Sequence, residues 1–199
     1  AKAPVEKSLS QAELKKLQQQ LRGNSKNLRV EFTQKRYSAL RQRWLKPSSG
    51  FALFSNPDRF RWVTSNPVSE QWLYDGEAIY KYTPANREAL RFRAKGSKAR
   101  EIKQIMSLVF NFDSLLERYK IEKAIDRGAF VEVKLSPRTD KSLSKVSLQI
   151  APEEKFVSQV ELQLANKNRS LITFRNPKRG PLKAQEFKLP KAVKVKEAF

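Results

Sequence analysis

Six aromatic side chains fall within residues 50–76: Phe51, Phe54, Phe60, Trp62, Trp72 and Tyr74. Rings at that density offer apolar contact and stacking. They supply no nucleophile, and nothing beside them could activate one. The whole chain contains no histidine and no cysteine. That removes the commonest general base, the thiolate nucleophile and the usual nitrogen and sulfur ligands of a metal. Only six glycines are present, and no phosphate-cradling glycine motif occurs among them. The residues therefore point to a binding protein without cofactor or metal, not to an enzyme.

The chemistry that remains is set by charge. The 199 residues carry 41 Lys+Arg against 20 Asp+Glu, a formal net charge of +21. A field of that sign draws polyanions and anionic lipid headgroups alike. Basic residues recur in 29–46, 87–103 and 175–196, without an arginine–glycine run or any other nucleic-acid motif. No apolar run reaches the length of a membrane-spanning helix. The opening AKAPVEK suits a mature protein whose leader has been removed.

The aromatic stretch must be positioned by strands. GFALFSN ends at Pro57 and RFRWVT ends at Pro67, because proline cannot donate to a ladder. Alternation sets Phe60 and Trp62 on one face of the second strand and Arg59 and Arg61 on the other. Ala52 and Phe54 are expected on the ring side, which leaves Phe51 and Leu53 pointing outward. EQWLY and EAIYKY flank Asp75-Gly76, a strong hairpin signal. LRVEFTQKRY precedes this group as a strand with one wet face, and REALRFRAK follows it.

After an expected loose arm over 1–9, Ser10-Gln-Ala-Glu13 forms a capping box. It predicts an amphipathic helix over 11–22 with Leu14, Leu17 and Leu21 on one face. Ile102, Ile105, Met106 and Val109 fall at helical spacing and predict a second helix, with a short third near DSLLERY. Strands resume in YKIEKAI, AFVEVKLS, KVSLQI, FVSQVELQLA and SLITFR. The tail EFKLPKAVKV adds a candidate edge strand. The expected architecture is one domain over 1–199, mainly β with helices. About eleven strands joined by short turns should form an antiparallel sheet that curls toward an unclosed barrel, with the amphipathic helices as its lid.

In this order and spacing, F-T-Q-K at 32–35, G-F-A-L-F-S-N-P-D-R-F-R-W at 50–62 and L-Y-D-G-x-x-I-Y-x-Y at 73–82 resemble the LolA-like periplasmic lipoprotein carriers. The similarity of element order runs from about residue 8 to 190. The resemblance implies an unclosed antiparallel barrel under a helical lid. It also implies a monomeric periplasmic chaperone that takes acylated lipoproteins from an inner-membrane exporter complex and passes them to an outer-membrane receptor. Phe60 and Trp62 match the family's lipid-facing aromatic positions. Phe54 and Trp72 are expected to line the same space, and Ile102, Ile105, Met106 and Val109 would plug it until a lipid displaces them. Where the family often has a lid-latching arginine before the strand-ending proline, this chain has Asn56. The cationic exterior would favour an anionic membrane surface.

Two rival readings have their own signatures. A related lipid-binding or lipoprotein-sensing module would form a stable complex with a signalling partner. A nucleic-acid binder would present the aromatic strands to solvent as a stacking platform.

Overall fold

The structure is a computed structural model that describes residues 7–22, 27–55, 59–92, 108–109 and 115–198. Among the described residues the α-helices α1 (Gln11–Arg22) and α2 (Leu115–Arg118), a helical pair at 108–109 and a turn of 3-10 helix at Ala184–Phe187 accompany fourteen strands. The strands are β1 (Lys7–Ser8), β2 (Asn27–Ser38), β3 (Arg43–Trp44), β4 (Ser48–Ser55), β5 (Arg59–Asn66), β6 (Glu70–Tyr74) and β7 (Ile79–Thr83). They continue as β8 (Glu88–Phe92), β9 (Tyr119–Asp126), β10 (Val131–Pro137), β11 (Leu143–Ala151), β12 (Phe156–Leu164), β13 (Arg169–Arg179) and β14 (Lys194–Glu197). They pair in the order β1-β9-β10-β11-β12-β13-β2-β4-β5-β6-β7-β8-β14, with β3 against β2. The order ends at β1 and β14 without closing.

The strand count corrects the expected eleven. The two-residue strands β1 and β3 are too short to show any periodicity. The tail, a candidate edge strand, contributes β14, which lies at the edge beyond β8 and runs parallel to it, whereas short turns predict antiparallel pairing throughout. The chain divides into two compact units, one of 1–25, 34–47 and 107–174, the other of 26–33, 48–106 and 175–199.

In the first unit the predicted capping box is present. The Ser10 amide donates to Glu13 Oε2 at 2.8 Å and the Glu13 amide to Ser10 Oγ at 3.3 Å. The helix begins where this reciprocal pair leaves it, at Gln11. Lys7 Nζ reaches Glu13 Oε1 at 2.6 Å, which ties β1 to the helix start. Beneath lies a cross-strand row set by register: Ala124, Val133, Leu148, Val160 and Ile172. All are buried, as a one-sided apolar face requires. The adjacent row, Leu135, Val146 and Leu162, ends at Ser170. There Gln34 Nε2 donates to the buried Ser170 hydroxyl at 2.9 Å, so neither polar group lacks a partner.

In the second unit the register of β4–β6 pairs Phe54 with Phe60, Ala52 with Trp62 and Trp62 with Trp72. The opposite face is not left bare. Leu53, expected to point outward, is 2% exposed. Phe51 lies under the Arg29 guanidinium, 4.5 Å from its ring centre. Leu189 and Val193 pack on Leu73, Tyr82 and Ala89, and Phe187 is buried. The turn of 3-10 helix at Ala184–Phe187 is tied down by Arg61, whose Nη1 donates to the Glu186 carbonyl at 3.0 Å. Arg61 Nε and Nη2 both donate to Gln71 Oε1, at 3.1 and 2.7 Å. Burial pushes the half-buried guanidinium below its ordinary value, but an arginine stays charged. Gly50, at the register shift of β4 on β5, has no room for a side chain, since a Cβ there would sit 1.8 Å from the Val63 carbonyl oxygen.

Two outcomes are expected. Arg61→Leu removes three charged-donor hydrogen bonds and should destabilise the protein by about 1.5–3 kcal/mol. In limited proteolysis the C-terminal segment should become susceptible well before the strands. Hydrogen bonding from Lys7, and then from Ser10, holds the Glu13 carboxyl down from 4.5 to about 2. A lowered folded value means the helix-start contribution is complete above pH 4.5 and fades as pH falls toward 2. Acidification should weaken amide exchange protection in the first turns of α1. Glu13→Gln should remove that pH step, and salt should blunt it because the pair is exposed.

Candidate functional site

A cavity of about 330 Å³ lies in the first unit between α1 and the sheet. Helical spacing delivers Leu14, Leu17 and Leu21 to its roof. Ile121 of β9, Val133 of β10 and Leu148 and Ile150 of β11 make the floor, and Leu115 of α2 closes one side. Among the described residues, Gln11, Lys15 and Gln18 are the only polar ones lining it, all from α1. Of the floor residues, Val133, Leu148 and Ile150 are buried and Ile121 is partly buried. Leu14 and Leu17 stay only partly buried, as expected where a helix stands off its sheet rather than pressing onto it.

The space is half open rather than enclosed. A space of this size matches ligand cavities, which are apolar with a few polar groups at fixed points. Its chemistry is limited. The one ionisable group among the described lining residues is the Lys15 ammonium. The cavity can hold an apolar chain, with the Lys15 ammonium at its lining.

The residues singled out from sequence have varied positions. Phe54, Phe60, Trp62 and Trp72 share one face of the second unit, at 2%, 0%, 7% and 6% exposure. Three of them pair with further rings, each pair tilted: Phe32 and Trp62 centres lie 4.0 Å apart, Phe60 and Tyr74 6.1 Å, Trp72 and Phe92 5.4 Å. Trp72 Nε1 donates to Glu70 Oε1 at 2.6 Å. Rings so buried cannot serve as an exposed stacking platform, which removes the nucleic-acid reading as formulated. Val109 is helical and 4% exposed. Asn56, Ile102, Ile105 and Met106 lie outside the described residues.

Sequence reasoning missed the cavity floor and Arg61. The alternation of Val131, Val133 and Leu135 and of Val146, Leu148 and Ile150 was visible as a buried face. Nothing in it distinguishes a floor packed tight from one left open. No helix of the described residues is long and apolar enough to cross a membrane.

The family model described as "Outer membrane lipoprotein carrier protein LolA" matches residues 23–190. No curated protein sequence matches the chain. Among solved structures, an uncharacterized conserved protein from Thermus thermophilus superposes with a TM-score of 0.60 at 9% identity, covering 94% of this chain and 99% of that one. A LolA superfamily protein from Nitrosomonas europaea superposes with a TM-score of 0.47 at 12% identity, covering 91% and 98%. MucB in the MucA/MucB complex of Pseudomonas aeruginosa gives 0.44 at 14%, covering 86% of this chain and 58% of that one. The extent of the family match, together with a large unclosed sheet, places the chain in the LolA family.

Proposed function

We propose that the protein is a periplasmic carrier that holds lipoprotein acyl chains in the cavity under α1 and ferries them from the inner membrane toward the outer membrane. The observation that carries this reading is the apolar cavity itself, in a chain of the lipoprotein-carrier family. Its partners would be an inner-membrane exporter complex and an outer-membrane receptor.

Volume sets the stoichiometry. A methylene fills about as much space as a water in the liquid, roughly 30 Å³, so 330 Å³ holds about eleven methylenes. That is most of one acyl chain, not a set of three. At about 0.8 kcal/mol per methylene the gain is on the order of 9 kcal/mol, before chain ordering and cavity water are subtracted. Further chains require α1 to move outward. Displacing the leucine roof opposes binding and so favours release at the destination. Lys15 at the cavity lining can donate to the ester or amide carbonyls at the head of the acyl chains.

The proposal extends to Phe54, Phe60, Trp62 and Trp72 as a second apolar wall, and to Ile102, Ile105, Met106 and Val109 as the helical stripe that yields to the lipid. Displacement of an apolar fluorescent probe by palmitoylated peptides tests the reading. Leu17→Trp places a larger side chain into the void. It should weaken probe binding at least about tenfold, the equivalent of losing one or two methylenes of contact, with circular dichroism and melting unchanged or improved. Undiminished probe binding in that variant overturns the cavity as the site; loss confined to Trp62→Ala would move it to the aromatic wall.

A further inference from the structure

We propose that the turn between β2 and β3 is a wedge that seats the protein on an anionic phospholipid bilayer. Leu40 at its tip is 93% exposed, the most exposed large apolar side chain among the described residues, and Trp44 at its base is 42% exposed. A single exposed leucine is ordinary. This one is held out by a fixed framework. The Ala39 amide donates to Asn168 Oδ1 at 2.9 Å, the Arg41 amide to Ser38 Oγ at 3.2 Å and the Leu45 amide to the Arg36 carbonyl at 2.7 Å. Gln42 takes the left-handed conformation, φ 50°, which turns the chain sharply back. The Trp44 ring meets Tyr37 edge-on at 5.6 Å, and the Arg169 guanidinium stands 5.3 Å from its centre.

The surroundings match one occupant by charge. Residues 34–49 carry five Lys or Arg and no Asp or Glu. Arg41, Arg43 and Lys46 are exposed. Asn168 brings the β12–β13 turn alongside, with Lys167 and Arg169 on it. An apolar tip, an indole at its base and flanking cations reproduce the layering of a bilayer surface: acyl boundary, headgroup level, phosphates. Long basic side chains can lie along the apolar surface while their heads stay in water. The wedge does not depend on what fills the cavity under α1, and the two can fail separately.

Flotation of the full chain with vesicles tests it. Vesicles of phosphatidylglycerol and phosphatidylethanolamine should carry the protein up; phosphatidylcholine vesicles should not. Leu40→Asp should cut the bound fraction about tenfold, as expected for losing one inserted leucine, while leaving the fold and probe binding by the cavity intact. Val68→Ser, at another exposed apolar residue, should float like the wild type. Brominated phosphatidylglycerol should quench the emission of Trp44 and spare the buried Trp62 and Trp72. Flotation of Leu40→Asp equal to the wild type overturns the wedge. So does failure of the wild type to bind anionic vesicles, the result expected if the turn instead meets an acidic protein.

Discussion

The space between the leucine stripe of α1 and the branched side chains of β9–β11 is the feature on which the rest depends. A helix that pressed its stripe fully onto Val133 and Leu148 would make an ordinary closed core. Instead Leu21 is buried while Leu14 and Leu17 are only partly so. The helix is held at its N-terminal end by the Ser10–Glu13 box and by Lys7 from β1. These bonds are polar and exposed, and individually weak. A helix start fixed by exposed bonds would suit the proposed carrier, which must release what it holds.

The second unit solves a different problem. In β4–β7 the face opposite the rings carries Leu53, Leu73 and Tyr82 beside Arg61 and Gln71, so its apolar part also needs a cover. One face carries the ring row of Phe54, Phe60, Trp62 and Trp72. The other is covered by the chain's own C-terminal segment, fastened by Arg61 to the Glu186 carbonyl. The same arginine that faces away from Phe60 thus has a structural partner in a segment more than a hundred residues later in the sequence.

Local patterns were legible where one short stretch sets the outcome. The capping box, the helix over 11–22, the alternating strands and the Asp75-Gly76 turn each follow from neighbours in sequence. Asp75 Oδ1 accepts from the Glu77 and Ala78 amides at 2.9 and 3.0 Å, and Gly76 takes φ +104°. What was not legible depends on distant partners. Leu189 and Val193 fall at strand spacing, but nothing in that spacing says that they dock on Leu73, Tyr82 and Ala89. The parallel pairing of β14 with β8 needs the whole intervening chain to be placed first. A void leaves no signal, because volume is a difference between surfaces that each look complete. The excess of positive charge was evident from composition. Its concentration beside Leu40 and Trp44 emerges only when β2, β3 and the β12–β13 turn come together.

The central claim is that an acyl chain lies between α1 and β9–β11. A fatty acid bearing a nitroxide on its chain, titrated into methyl-labelled protein, locates that chain directly by paramagnetic broadening. Broadening that starts at the Leu17, Val133 and Leu148 methyls and saturates at about one chain per protein is the expected result. Broadening confined to methyls beside the β4–β6 aromatic row, or none above that of free nitroxide, would contradict it.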